Sequence, residues 1–159
     1  MPSTPSSSET SKNSPKRPLW KRLLIWGLPS LFLLMQFIPV DRANPPAEGP
    51  IEAPPEVLEV LERACFDCHS NETRWPWYGY VAPTSWLLAH DVEEGREHLN
   101  FSNWKTMKVG KRQHALEEIW EEIEEKEMPL PAYEILHPSA RLSDKDMDIL
   151  RRFTENAAH

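Results

Sequence analysis

Ala64-Cys65-Phe66-Asp67-Cys68-His69 contains both cysteines of the chain, set as Cys-x-x-Cys-His, and its reading decides the fold. If Cys65 lies near the end of a helix, Cys68 at i+3 and His69 at i+4 share its face. Two thiols on one face can add to the two vinyl groups along a haem edge, while the His69 imidazole reaches the iron. The spacing is the attachment signal for c-type haem. Three other uses of the pair are weaker. A thioredoxin-like redox pair belongs beside a βαβ pattern, and no Val/Ile-rich strand run is present. A structural zinc site needs four ligands, two of which would have to be distant histidines or carboxylates. A Cys65–Cys68 disulfide would stabilise little and leaves His69 without a role.

The flanking sequence is helical. Residues 56–65 place Leu58, Leu61 and Ala64/Cys65 on one stripe that runs into the motif. Residues 71–83 include Trp75-Pro76-Trp77-Tyr78-Gly79-Tyr80 and read as an aromatic loop. Thr84 or Ser85 is positioned to cap a helix through about His98. A further helix is expected over about 111–127, with Leu116, Ile119, Trp120 and Ile123 in one stripe. The last starts at Ser143, whose S-x-x-D spacing to Asp146 predicts a capping box, and aligns Met147, Leu150, Phe153 and Ala157. The fold class is all-α.

Toward the N-terminus, residues 1–18 are rich in Ser, Thr, Pro and Lys and read as a disordered tail. Residues 23–40 then carry no formal charge. As a helix they would be about 27 Å long, close to a hydrocarbon core, and Leu19 and Trp20 lengthen the span. A transmembrane anchor is expected over 19–40. Lys16, Arg17, Lys21 and Arg22 precede it and place the N-terminus in the cytoplasm. A cleaved signal peptide fits less well, because the apolar run is long and 39–43 offers no clean cleavage site. Residues 41–55, DRANPPAEGPIEAPP, read as a semi-rigid proline-rich linker. The haem domain is then 56–157.

Charge is segregated. Residues 1–22 hold five Lys/Arg and one Glu, whereas 41–159 hold thirteen Lys/Arg and twenty-four Asp/Glu. Such an acidic domain repels nucleic acid and suits a basic protein partner. The seven glutamates between Glu117 and Glu127 read as a solvated helix face or as a docking surface for that partner.

An electron-transfer haem needs a second axial ligand, commonly a methionine. Met128 is the leading candidate, because Pro129 disfavours helix at Met128 and hands its thioether to a loop. Its alternative role is to fill a gap in the core. Met107, Met147, His90, His98, His114 and His137 are weaker candidates. Trp75, Trp77, Tyr78, Tyr80 and Trp86 are expected either to wall the haem crevice or to pack the core. Arg74 or an indole N–H is placed to meet a haem propionate. A carbonyl of Pro76 or Pro83 is a candidate to accept the His69 Nδ1–H.

Four stretches together resemble the bacterial membrane-anchored haem-binding domain family, a branch of the cytochrome c-like superfamily. They are Gln36-Phe37-Ile38-Pro39 with Arg42-Ala43-Asn44-Pro45-Pro46, then ACFDCHSNETRWPWY (64–78), APTSWLLAHDVEEGREHLNFSNW (82–104) and EMPLPAYEILHPSARLSDKDMDIL (127–150). The resemblance spans roughly residues 36–155. It implies a cytochrome c-like helical fold, one haem on Cys65, Cys68 and His69, and Met128 as the distal position. It names no substrate. The expected function is a monohaem c-type cytochrome, single-pass in the bacterial inner membrane with its haem domain in the periplasm. It would bind haem c covalently and exchange single electrons with membrane or periplasmic redox proteins. It would be a carrier rather than an enzyme. The competing expectation is a haem-based gas or redox sensor, or a small peroxidase-like enzyme, with a displaceable distal ligand.

Overall fold

The computed structural model describes residues 19–157. The expected tail, 1–18, lies outside them. Among the described residues there is no strand, and the chain divides after Ile38 into two units.

In the first unit, helix α1 covers Leu19–Met35. The helix expected over 19–40 therefore stops early. Gln36, Phe37 and Ile38 close it by donating to the carbonyls of Leu33, Leu34 and Met35, a tightened last turn. Among the described residues no helix is long and apolar enough to cross a membrane. Around α1 the side chains of Leu23, Trp26, Leu28 and Leu34 are all more than half exposed.

The second unit opens with residues 39–54, which take in nearly all of the spacer expected over 41–55. They are instead laid along the domain as a strap. Gly49 N–H donates to Ser102 O (3.1 Å), Lys105 N–H to Gly49 O (2.8 Å) and Ile51 N–H to Phe101 O (2.8 Å). Asn44 donates to Thr73 O and Arg42 to Gly79 O. Ile51 is buried in the core. Prolines leave extended backbone unpaired only if nothing offers a partner; here the residues between them find one.

Helix α2 (Pro55–Ala64) follows and buries Val57, Val60, Leu61 and Ala64. It runs into the short α3 (Phe66–His69), and α4 covers Thr84–His98. Neither Thr84 nor Ser85 caps α4: its N-cap position is Pro83, with no side-chain bond, and Ser85 is buried within the first turn. Helix α5 (Val109–Glu124) buries Leu116 and Ile123 on the expected stripe, with Ile119 and Trp120 partly buried beside them. It ends three residues before the expected Glu127. Lys126 takes a left-handed conformation (φ 63°), so its N–H reaches Ile123 O while Glu127 N–H reaches Glu122 O. This is a Schellman closure. The carboxylates crowding this C-terminus oppose the helix dipole and favour an early end. A short helix not expected from the sequence, α6 (Pro131–Leu136), comes next, and α7 covers Asp144–Ala157.

The core lies where α7 packs on α5 and α2, with Leu150 fully buried at its centre and Phe101 and Trp104 beneath the strap. Met147 and Phe153 pack against it, whereas Ala157 is exposed. The expected capping box is formed. Ser143 N–H donates to Asp146 Oδ2 (2.8 Å) and Asp146 N–H to Ser143 Oγ (3.2 Å). Arg63, in the last turn of α2, adds an ion pair to Asp146 at 2.9 Å. Burial pushes the Asp146 carboxyl up, but the bonds from Ser143 and Arg63 outweigh this and hold it below the ordinary aspartate value. Its contribution is therefore complete above the unfolded value of about 3.9 and is lost as pH falls through the lower folded value. Asp146→Ala should destabilise the domain by about 1–2 kcal/mol at pH 7, and wild type and variant should converge in acid. Urea melts at pH 7 and pH 3 measure both; an equal gap at both pH values would refute the assignment.

Candidate haem site

Cys65 closes α2, its N–H donating to Leu61 O. Its φ of −126° breaks the helix axis, and α3 restarts immediately. Cys68 and His69 then donate their N–H groups to Cys65 O at 3.2 and 2.9 Å, so Cys65, Cys68 and His69 occupy one turn. The turn is fixed from below. Phe66 stacks on Phe101 with centroids 5.5 Å apart, Ser70 Oγ donates to Phe66 O (2.7 Å), and Asn71 N–H donates to Ser102 Oγ (2.9 Å). Both thiols are free and half-buried. Burial pushes Cys65 up to about 12, with Cys68 as its neighbour adding to the shift, and burial pushes Cys68 up to about 11. Both are protonated at neutral pH, which disfavours oxidation of the pair.

The His69 ring lies 2.9 Å from Gly95 O and 3.2 Å from Leu99 O through Nδ1. Carbonyls only accept, so Nδ1 carries the proton and Nε2 keeps its lone pair. Burial holds the imidazole below its ordinary value, and the two carbonyls only partly oppose this. The ring is a neutral donor with a fixed tautomer, as metal-bound histidines require. The partners are not the carbonyls of Pro76 or Pro83. They come from the C-terminal end of α4: Gly95 O, which also accepts from Leu99 N–H (2.9 Å), and the carbonyl of the C-cap residue Leu99, beyond the helical ladder. Gly95 makes the approach possible: a Cβ there would sit 2.8 Å from Cys68 O and 3.3 Å from Cys68 C. A glycine inside a helix costs about 1 kcal/mol relative to alanine, and here it admits α3.

Arg96 locks the same junction. Its guanidinium donates to Ser70 O (2.8 Å), Ala43 O (3.0 Å), Asn44 Oδ1 (2.7 Å) and Thr73 Oγ1 (2.9 Å). The strap, the residue after the motif and the aromatic loop thus meet at one side chain. Asp67, between the cysteines, accepts from Tyr133 Oη at 2.6 Å. Tyr133 stacks on His137 with centroids 4.0 Å apart, and the His137 ring lies 3.3 Å from Tyr78 Oη. Neither Tyr133 nor His137 was legible as a neighbour of the motif, because α6 lies more than sixty residues away in the chain. Trp77 and Tyr80 are 80% and 60% exposed, Trp77 edge-on to Tyr78 and Tyr80 under the Arg42 guanidinium, whereas Trp75, Tyr78 and Trp86 are half-buried. Arg74 pairs with Asp67 (3.5 Å) and donates to Glu62 O (2.8 Å).

Met128 is half-buried in the α5–α6 loop, with its N–H on Glu122 O (3.1 Å). Met107 and Met147 pack against the core cluster, and Met128 is not part of it. Gap-filling therefore describes Met107 and Met147. His90 pairs with Glu94, and His114 with Glu117 and Glu118, all well exposed. His98 is exposed as well.

Two adjacent thiols and one neutral imidazole with Nε2 unengaged form a donor set that fits haem iron and a haem edge. A family model described as a haem-binding domain matches residues 30–156. No curated protein and no solved structure matches the chain.

Proposed function

The chain belongs to the haem-binding domain family, and from that premise we propose that it is a membrane-anchored monohaem c-type cytochrome that carries single electrons on the outer face of the membrane. The observation that carries the reading is the His69 ring. Its Nδ1–H is held by Gly95 and Leu99, which leaves Nε2 for iron on the same turn as both thiols. Bound there, haem supplies a one-electron ferric/ferrous couple. The protein does the rest. Cys65 and Cys68 tie one edge covalently, Gly95 O and Leu99 O orient the ring and raise its basicity, and Met128 offers a soft thioether from a loop outside the core. Held by both His69 and Met128, the iron would exchange electrons with little rearrangement and would leave no room for a substrate.

The anchor reading draws on α1. From Leu23 to Leu34 its exposed side chains, Ser30 apart, are apolar on all sides, as in a helix that lies in lipid. Seventeen helical residues span about 26 Å, which a bilayer meets by local thinning and by the flanking residues. The Lys/Arg-rich flank keeps the N-terminus inside. A periplasm-dependent reporter fused after His159 should be active, and activity of a cytoplasm-dependent reporter there would reverse the topology. The exposed glutamates of α5 suit a partner with a basic patch, whose association would weaken with salt.

Met128→Ala tests the function. Ferric wild-type protein should show a sulfur-to-iron charge-transfer band that the variant lacks, and the variant's midpoint potential should fall. Ferrous wild type should resist carbon monoxide and the variant should bind it. Rapid carbon monoxide binding by wild type, with spectrum and potential unchanged by Met128→Ala, would favour a sensor or peroxidase-like protein instead.

A further inference from the structure

We propose that Tyr133 is a positioning residue for the second ligand of the iron: its phenol ties the loop that carries Met128 to the turn that carries both thiols and His69. Tyr133 Oη donates to Asp67 Oδ2 at 2.6 Å, the length of a charge-assisted bond. Asp67 stands between Cys65 and Cys68, and its side chain is only 19% exposed. Its other oxygen, Oδ1, accepts the Arg74 N–H at 3.0 Å, so the carboxylate would give up a second bond by turning away. Burial first, and then the bond to Asp67, push the Tyr133 phenol up. A phenol above its ordinary value of about 10 keeps its proton at neutral pH and stays a donor.

A stiff piece of chain connects Tyr133 to Met128. Leu130 O accepts the N–H groups of Tyr133 (2.9 Å) and Glu134 (3.1 Å), which fixes the first turn of α6. Pro129 and Pro131, on either side of Leu130, lock their own φ. At its other end the segment is held by the Met128 N–H on Glu122 O (3.1 Å). That bond refers Met128 to α5 and the core, and the Tyr133–Asp67 bond refers it to the motif. The backbone of α6 packs chiefly on the turn Pro138–Ala140 that follows it, so side chains make its link to the motif. The Tyr133 ring is braced in turn, stacked on His137 with centroids 4.0 Å apart.

A loop held at both ends loses less freedom when its thioether binds, which favours a weak iron–sulfur bond. Without the phenol, the same thioether spends more time detached, and the sixth position opens with the ligand itself unchanged. The role rests on the reading of Met128 as the ligand, whereas the bond between Tyr133 and Asp67 does not.

The test compares haem-loaded full-length proteins by three readouts: the sulfur-to-iron charge-transfer band, the rate of carbon monoxide binding to ferrous haem, and Tm. Met128→Ala sets the values for an absent ligand. Tyr133→Phe keeps the ring and its stack on His137 and removes only the hydroxyl. It should weaken the band and speed carbon monoxide binding about tenfold or more, the factor one hydrogen bond to a charged group is worth. Asp67→Ala should do the same, and the double variant should be no faster than either single. Val57→Ala leaves a cavity in the core near the start of α2, away from the motif, and should lower Tm with band and rate unchanged. Wild-type band and rate in Tyr133→Phe would overturn the role, and so would the same changes in Val57→Ala, by assigning them to stability alone. An effect of Tyr133→Phe with none from Asp67→Ala would overturn it as well, because the phenol would then act elsewhere. If Met128→Ala changes neither band nor rate, the reading of Met128 falls and the role with it. If Met128→Ala changes both and Tyr133→Phe neither, the role alone falls.

Discussion

Protein purified with its haem should keep it through acid–acetone extraction, and the Cys65→Ser, Cys68→Ser double variant should lose it to the organic phase. The expectation follows from geometry. Both sulfurs lie on a single turn closed by the Cys68 and His69 N–H bonds to Cys65 O, and both are free thiols held protonated by burial. Two thiols and an adjacent imidazole on one turn are what the proposed attachment to a haem edge requires. The serine variant keeps His69 with its two carbonyl partners, so it can still bind haem through iron. Acid protonates the imidazole and releases such a haem, whereas thioether bonds survive. The difference should be close to all-or-none. Haem extracted freely from wild type would remove the covalent assignment while leaving haem binding in place.

The second large effect is expected at Gly95. On helix propensity alone, Gly95→Ala would stabilise α4 by about 1 kcal/mol. The structure reverses that sign. The new methyl would meet the carbonyl oxygen of Cys68 at 2.8 Å and Cys68 Cβ at 3.3 Å, atoms of the motif itself that cannot swing aside. α4 and α3 would have to separate, and the 2.9 Å bond from His69 Nδ1 to Gly95 O would lengthen with them. Overpacking of this kind costs about 1–3 kcal/mol. We expect a lower Tm and poorer haem loading, read by thermal melts and by the haem-to-protein absorbance ratio. Ala89→Gly, on the far side of the same helix, provides the control: it should lower Tm through propensity without changing haem loading. A Gly95→Ala protein as stable and as well loaded as wild type would mean that α3 and α4 do not touch there.

The motif and the long helices were legible because each follows from spacing along the chain. Cys-x-x-Cys-His needs only one turn, the α5 stripe needs only periodicity, and the Ser143–Asp146 box is a three-residue relation. What escaped depends on residues distant in sequence. The carbonyls that hold His69 come from twenty-six and thirty residues downstream, and nothing in a proline's identity could have excluded Pro76 or Pro83. Gly95 did carry a signal. A glycine in the interior of a helical pattern marks a close approach, and it pointed to the turn that packs there. Residues 41–55 misled for a composition reason: prolines argue against helix, but not against a strap bonded to its own domain. Helix α6 is six residues between prolines, too short for any periodicity to show.

The closure of α5 constrains how the chain can vary. Three successive N–H groups, of Lys126, Glu127 and Met128, return to the carbonyls of Ile123 and Glu122, so the thioether's place is set by counting residues from the helix end. Insertions are tolerated in most surface loops because lengthening a loop costs little. Here one added residue between Glu122 and Met128 would present a different side chain at the place proposed for the ligand. One removed from the helix would turn the whole segment by about 100°. If Met128 holds the iron as proposed, homologous chains that keep this methionine should vary in sequence across these positions and not in length.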